Sequence, residues 1–176
     1  MVPEVVGSIP IIRPMIFMPN QNRDVFILQT VQPGLAGLMD GSVSTLAPIF
    51  AVAFATHKPH YAFVVGLAAA VGAGVSMAFA EALSDDGTKT GRGHPFRRGV
   101  IIGAMTFIGG IFHTLPFLIS NFHVALITAS IVVGLELIAI SYIRYRYFNT
   151  PLWRSLFMVM LGGAIVFVAG ILIGEG

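Results

Sequence analysis

The sequence predicts an all-α integral membrane protein with five transmembrane helices, and three observations indicate this. Of the 176 residues, 56% are hydrophobic and only 10% are charged, whereas a water-soluble domain carries roughly twice that charge. The chain also contains 20 glycines, which allow membrane helices to approach closely. Finally, five apolar segments are long enough to cross a hydrocarbon core, which takes about 20 residues. They cover residues 34–55, 60–83, 97–119, 122–143 and 152–174.

Residues 1–33 are predicted to form a separate Pro-rich arm, and residues 34–176 the membrane domain. No basic cluster precedes an apolar region in the arm and no small-residue cleavage site follows, so it does not read as a secretory signal. Its five prolines interrupt every apolar run, which favours an extended or interfacial arm. Only Asp24 to Thr30 is expected to form a short interfacial helix.

The remaining composition excludes several classes of site. The absence of cysteine excludes disulfides and thiolate metal sites. The pI is near 9.3, but the formal net charge is only +2 and the basic residues lie in loops between apolar runs, so nucleic acid is not an expected partner. We also expect no enzymatic activity and no permanently bound cofactor.

The positions of the basic residues predict the orientation. If the five segments alternate across the bilayer, nine of the ten Lys and Arg residues fall on one side and only Lys58 on the other. The positive-inside rule then places the N-terminus in the cytoplasm and the C-terminus on the opposite side. A bacterial inner membrane is the expected location.

The first segment contains a carboxylate and a helix breaker. Asp40 lies about six residues into the segment, on the order of 9 Å from its end at 1.5 Å per residue. Asp40, Ser44 and Pro48 share one helix face, and Pro48 cannot donate a hydrogen bond to the Ser44 carbonyl. This pattern predicts a cation site that includes Asp40 and Ser44; a simple proline kink, with Asp40 bonded to a neighbouring helix, is the alternative.

The second segment places Met77 and Glu81 on one helix face, above a small-residue surface. A thioether together with carboxylates suits a borderline ion such as Fe2+ better than Mg2+ or Ca2+. Just beyond this segment, Asp85 and Asp86 form an adjacent pair that could collect a cation at the cytoplasmic mouth. Ordinary solvation of a loop explains the same pair equally simply.

Two further ionisable residues are predicted inside the membrane. His113 is expected midway along the third helix, one turn before Pro116, and Glu136 near the middle of the fourth. Both are candidates for a proton relay because imidazole titrates near neutral pH and intramembrane charges are costly unless they have a function or a partner. A hydrogen bond between helices, with no further role, is the alternative for each.

Three of these motifs, in order, resemble the vacuolar iron transporter family. They are Asp40-Gly-Ser-Val-Ser-Thr45, Gly74-Val-Ser-Met77 followed by Glu81, and Gly109-Gly-Ile-Phe-His-Thr-Leu-Pro116. The similarity covers about residues 34–174, and it is closest to the membrane domain of membrane-bound ferritins.

The resemblance implies a homodimer of five-helix subunits that moves Fe2+, and often Mn2+, out of the cytoplasm in exchange for protons. Asp40 and Met77 correspond to ion ligands of the family, and Glu81 to a family glutamate that an aromatic residue follows. The implied partners are the lipid bilayer, a second copy of the chain and, by analogy with membrane-bound ferritins, a larger membrane complex or an iron-storage protein.

The chain also departs from the family pattern. The family's aromatic position is Ala82 here, and plant members carry a glutamate where this chain has Ala69 and a long carboxylate-rich insert in place of its short 84–96 loop. The missing glutamate, the missing insert and the Pro-rich arm favour an alternative reading, in which the chain is a non-transporting membrane subunit of a larger complex that keeps the transporter-like fold.

Overall fold

The computed structural model describes residues 21–84, 86–87 and 90–176, and this part of the chain is helical without strands. Two short stretches depart from α-helix geometry, a π-helical turn at Ile27–Val31 and a 3-10 turn at Leu115–Leu118. The α-helices are α1 (Gln21–Phe26), α2 (Gln32–Ser44), α3 (Leu46–Thr56), α4 (Pro59–Ala82), α5 (Pro95–Phe112), α6 (Phe122–Phe148) and α7 (Leu152–Glu175).

The first apolar segment belongs to a much longer helical run than expected. Helical structure begins at Gln21 and continues, through the π-helical turn, into α2. The residues of the predicted Asp24 to Thr30 helix are therefore helical, but residues 21–33 are not extended and Pro33 does not separate them from the first segment. Pro33 is tolerated because the wider turn precedes it: the Gln32 N–H bonds to the Ile27 carbonyl five residues back, which relieves the crowding that a proline ring imposes on the preceding turn. The rest of the predicted arm, residues 1–20, lies outside the described residues.

Pro48 ends the regular helix where the sequence predicts a kink. Thr45 separates α2 from α3 and has φ −86° and ψ −15°. Since Pro48 has no N–H, it cannot donate to the Ser44 carbonyl four residues earlier. The single predicted first span is therefore two helices joined at Thr45.

Among the described residues, four helical runs are long and apolar enough to span a membrane. They are Asn22–Thr56, Pro59–Ala82, Phe122–Phe148 and Leu152–Glu175. They correspond to four of the five predicted segments. The fifth, α5, has 18 residues and carries Arg97 and Arg98 in its first turn; the five-span topology and its orientation remain predictions.

Helix α5 packs between α2 and α4 along a glycine-lined contact. A methyl group at Gly41 of α2 would collide with the Thr106 carbonyl of α5, and one at Gly103 of α5 would come within 2.6 Å of the Gly74 carbonyl of α4. Glycine is required at such positions because the two backbones touch without intervening side chains.

The third predicted helix ends earlier than expected. α5 stops at Phe112 and His113 is its C-cap residue, so the prediction that His113 lies midway along a helix is wrong. Pro116 explains the stop, because it has no N–H for the Phe112 carbonyl and the chain continues as a 3-10 turn.

A hydrophobic core joins α3, α6 and α7. Phe50 is fully buried and meets the Phe167 ring edge-on, with 4.6 Å between ring centroids. Phe117, from the 3-10 turn, meets the Phe50 ring at 6.1 Å. This packing fixes the 3-10 turn, and with it His113, against the α2–α3 junction.

Candidate functional site

Asp40 lies at the edge of the contact between α2 and α5. It is half-buried, while Gly37 and Gly41 on either side of it are buried against the α5 backbone. One turn away in each direction, Ala36 and Ser44 are exposed on the outer face of the subunit. The predicted face of Asp40 and Ser44 therefore points outward from the single chain rather than into its core.

Met77 lies on α4, about one and a half helical turns from the level of Asp40. Gly74 of α4 packs against Gly103 of α5, and Gly41 of α2 packs against Thr106. Because α4 runs antiparallel to α5 and α2 runs parallel to it, Met77 and Asp40 are offset by about five residues of α5, which rise about 7.5 Å along a helix. Met77 is half-buried.

Glu81 is held by two arginines. Its Oε1 accepts from Arg98 Nε at 2.6 Å and from Arg92 Nη2 at 2.9 Å. The Arg98 side chain is only 1% exposed and also donates from Nη1 to the Gly93 carbonyl at 3.1 Å. In this conformation Glu81 ties the end of α4 to the start of α5, so it could bind a metal only after exchanging these partners.

Of the acidic pair predicted in the loop after α4, the structure describes one member. Asp85 lies outside the described residues, whereas Asp86 is exposed and lines a cavity of about 500 Å³ together with His94. The cavity lies between the end of α4 and the start of α5 and is mainly apolar, with Phe79 and Phe96 in its wall.

His113 and Glu136 are in direct contact. His113 Nδ1 lies 2.9 Å from Glu136 Oε2, and His113 Nε2 lies 2.8 Å from Thr45 Oγ1. His113 is fully buried, and the Glu136 side chain is 9% exposed. The two proton-relay candidates of the sequence thus form one hydrogen-bonded unit that connects the end of α5, the middle of α6 and the α2–α3 junction.

Two buried oxygen atoms beside this unit have no hydrogen-bond partner among the described residues. They are Ser42 Oγ and Glu136 Oε1. The Ser42 hydroxyl lies close to the Glu136 carboxylate, although no hydrogen bond of good geometry joins them. Unsatisfied buried polar atoms are costly, so this position is suited to a proton or a water molecule.

The sequence did not identify three residues that shape these contacts: Arg98, Ser42 and Thr45. From the sequence, Arg98 contributes only as one of the charges that predict the topology, although it is buried. Ser42 and Thr45 contribute only as part of a motif. The sequence does contain one signal for Ser42 and Thr45. They are three residues apart and therefore share a helix face, which differs from the face of Asp40 and Ser44.

Within the part of the chain that the structure describes, no group of three or more His, Cys, Asp or Glu side chains is arranged to hold a metal ion.

Comparison with protein-family models matches residues 82–175 to the model described as the VIT family. The match covers more than half of the chain and includes His113 and Glu136, but it begins after Asp40 and Met77. Comparisons with curated proteins and with solved structures gave no match.

Proposed function

The chain belongs to the VIT family, the vacuolar iron transporters, and from that premise we propose that it carries Fe2+, and also Mn2+, out of the cytoplasm in exchange for protons. The VIT family consists of membrane metal-ion transporters, which agrees with the long apolar helices. It is also consistent with the expectation that the chain is not an enzyme. The cargo ion, the direction and the exchange with protons are our proposal.

The observation that carries the proposal is that Asp40 and Met77 are half-buried on two helices that both pack against α5, about one and a half turns apart in depth. A carboxylate and a thioether from neighbouring helices offer a hard and a soft donor, the combination that suits Fe2+. Ser44, one turn from Asp40, adds a hydroxyl on the same face. Glu81 would join the ligands in a second conformation, after Arg98 and Arg92 release it.

A homodimer would complete this site. Asp40 and Ser44 lie on the outward face of α2, and the described residues of one subunit bring no three His, Cys, Asp or Glu side chains together around an ion. Two copies related by a two-fold axis would bring two sets of ligands together. A hydrated ion could then reach the site from the cytoplasmic side, where Asp86, and Asp85 next to it in sequence, provide negative charge.

We further propose a bacterial inner membrane as the location, with the N-terminus in the cytoplasm, and the lipid bilayer as the immediate environment. An iron-storage protein or a larger membrane complex is the proposed supplier of the ion. We expect no permanently bound cofactor and no nucleic-acid partner.

A second function is favoured by the contacts of Glu81. Arg92 and Arg98 both donate to Glu81 Oε1, and Ala69 replaces a family glutamate. Two carboxylates expected along the ion path are therefore occupied or missing. Under this alternative it is a non-transporting subunit of a larger complex. Purification in mild detergent separates the two: a self-dimer supports the transporter, and a stoichiometric complex supports the subunit.

Uptake by proteoliposomes tests the main proposal. Purified protein is reconstituted with a metal-sensing dye inside, and Fe2+, under anaerobic conditions, or Mn2+ is added outside with the lumen more acidic. We expect uptake by the wild type, loss of uptake in Asp40→Ala, reduced uptake, most of all of Fe2+, in Met77→Ala, and wild-type uptake in the control Met158→Ala, since Met158 is exposed on α7. Unchanged flux in both ligand variants would refute the assignment.

A further inference from the structure

The direction of one hydrogen bond fixes the protonation of His113. Thr45 Oγ1 donates to the Gly41 carbonyl at 2.8 Å, and a hydroxyl has a single hydrogen. Thr45 Oγ1 must therefore accept from His113 at their 2.8 Å contact. It follows that His113 carries a proton on Nε2.

The contact between His113 and Glu136 then requires one more proton. Nδ1 and Oε2 are 2.9 Å apart, and without a proton between them both atoms would be acceptors facing each other. The proton belongs either to an imidazolium that faces a carboxylate or to a carboxylic acid that faces a neutral imidazole. In both forms the pair has no net charge, as a low-dielectric interior requires.

We propose that the His113–Glu136 pair is the proton-binding site of the exchange, with the exchanged proton in the Nδ1–Oε2 hydrogen bond and Thr45 as the residue that links the pair to α2. This inference rests on the proposed function. When the pair releases the proton, the products are a neutral imidazole with hydrogen on Nε2, a carboxylate and one H+, and the net charge changes from zero to −1.

Release of the proton removes the bond between α5 and α6. Two acceptors at 2.9 Å repel each other, so the imidazole and the carboxylate must separate, and His113 then shifts relative to Thr45. Thr45 is the break between α2 and α3, and Asp40 lies five residues earlier, about 7.5 Å along the helix. Proton loss is thereby transmitted to the helix that carries the proposed metal ligand.

The unpaired atoms beside the pair give the proton a place to enter. Glu136 Oε1 and Ser42 Oγ are buried, neighbouring and without hydrogen-bond partners among the described residues. An incoming proton, or a water that carries it, can bind there before it reaches Oε2. Gly109 keeps this position open, because a methyl group at residue 109 would lie 3.0 Å from Ser42 Oγ.

Few other titratable groups face the pair. α3 has none, α4 has none between Tyr61 and Glu81, and α7 has none between Arg154 and Glu175. On α5, Arg97 and Arg98 lie at the opposite end of the helix. On α6 the titratable residues nearest to Glu136 in the sequence are His123 and Tyr142. On α2, Asp40 lies at the edge of a different helix face. The proton-dependent behaviour of this interior is therefore assigned to His113 and Glu136.

In the proposed homodimer, two such pairs release two protons, which balances the charge of one divalent cation. The exchange is then electroneutral, and a membrane potential should not change its rate.

Glu136→Gln provides the central test. The glutamine amide can donate to His113 Nδ1 and so preserve the link in a form that cannot release a proton. In proteoliposomes we expect Mn2+ to move down its own gradient through this variant, while the stimulation by an acidic lumen is lost. His123→Gln, which changes an exposed histidine on the same helix, is the matched control and should keep the stimulation.

Each other outcome has a defined meaning. If Glu136→Gln is stimulated by the pH gradient as strongly as the wild type, the proton site is elsewhere, although the proposed function stands. If well-folded Glu136→Gln loses downhill flux as well, Glu136 serves transport itself rather than proton coupling, and the inference is overturned. If the wild type shows no flux beyond Asp40→Ala, the proposed function fails instead.

A second pair of variants tests the link to α2 without changing a titratable group. Thr45→Val removes the oxygen that accepts from His113 Nε2, and Thr45→Ser keeps it. We expect the valine variant to lose most of the pH stimulation and the serine variant to retain it. Equal stimulation in both folded variants would refute the role assigned to Thr45.

Discussion

Arg98 Nε lies 2.6 Å from Glu81 Oε1, and this ion pair joins the first turn of α5 to the last turn of α4. Arg98 is 1% exposed while Arg97, the next residue, is exposed. A buried guanidinium is tolerated only when its charge and its N–H groups are satisfied, which Glu81 and the Gly93 carbonyl provide. The pair therefore stabilises the helix contact and also withholds Glu81 from other cations.

Replacement of Arg98 should destabilise the fold strongly. Breaking a buried ion pair by removing one partner costs about 3–5 kcal/mol, and because Arg92 remains on Glu81 we expect Arg98→Ala to fall at the lower end of this range. Unfolding by denaturant in detergent micelles measures the difference. Arg97→Ala is the control and should leave the free energy of unfolding nearly unchanged; equal losses in the two variants would contradict the assignment.

The sequence predicted the all-helical class and four of the membrane-spanning segments because apolar length decides them. Four of the five predicted segments match helices that could span a membrane, with ends that differ by a few residues for α4 and α7. Pro48 indicated where the first apolar segment divides into two helices, because a proline disrupts the helix that contains it. These features depend on local sequence alone.

The partners of the buried polar groups could not be read from the sequence. Thr45 and His113 are 68 residues apart, and His113 and Glu136 are 23 residues apart, so only helix packing brings them together. Arg98 looked like a topological charge because its sequence neighbours are basic. The sequence predicted the short helix at Asp24 to Thr30 but not its continuation through Pro33 into α2, because the effect of Pro33 depends on the π-helical turn before it.

The close contact between α2 and α5 predicts a severe effect of a small change at Gly41. A methyl group at Gly41 would collide with the Thr106 carbonyl, a backbone atom that cannot rotate away. Overpacking of this kind costs about 1–3 kcal/mol, so Gly41→Ala should lower the melting temperature in detergent. Gly72→Ala is the matched control, because nothing lies within 4 Å of the added methyl group there. A melting temperature for Gly41→Ala equal to that of the control would mean that the helices are further apart.

Met77 should determine which ion is preferred. A thioether favours softer ions, and its removal leaves a site of oxygen donors that suits Mn2+ better than Fe2+. We therefore expect Met77→Ala to reduce Fe2+ uptake by proteoliposomes more than Mn2+ uptake, whereas Met158→Ala should preserve the wild-type ratio. An unchanged ratio in Met77→Ala, with both rates intact, would exclude the sulfur as a ligand.

The outward face of α2 predicts where two copies of the chain meet. Ser44 is exposed one turn from Asp40, and the chain contains no cysteine, so a single introduced cysteine reports on its own position alone. If two α2 helices pair around the ion path, Ser44→Cys should form a disulfide-linked dimer in membranes under mild oxidation, since a disulfide requires Cα atoms within about 7 Å. Ile138→Cys, on the exposed face of α6, serves as the control and should stay monomeric on a denaturing gel. Cross-linking through residue 138 but not through residue 44 would place the dimer contact on α6, and Asp40 would then have to bind its ion without a second copy.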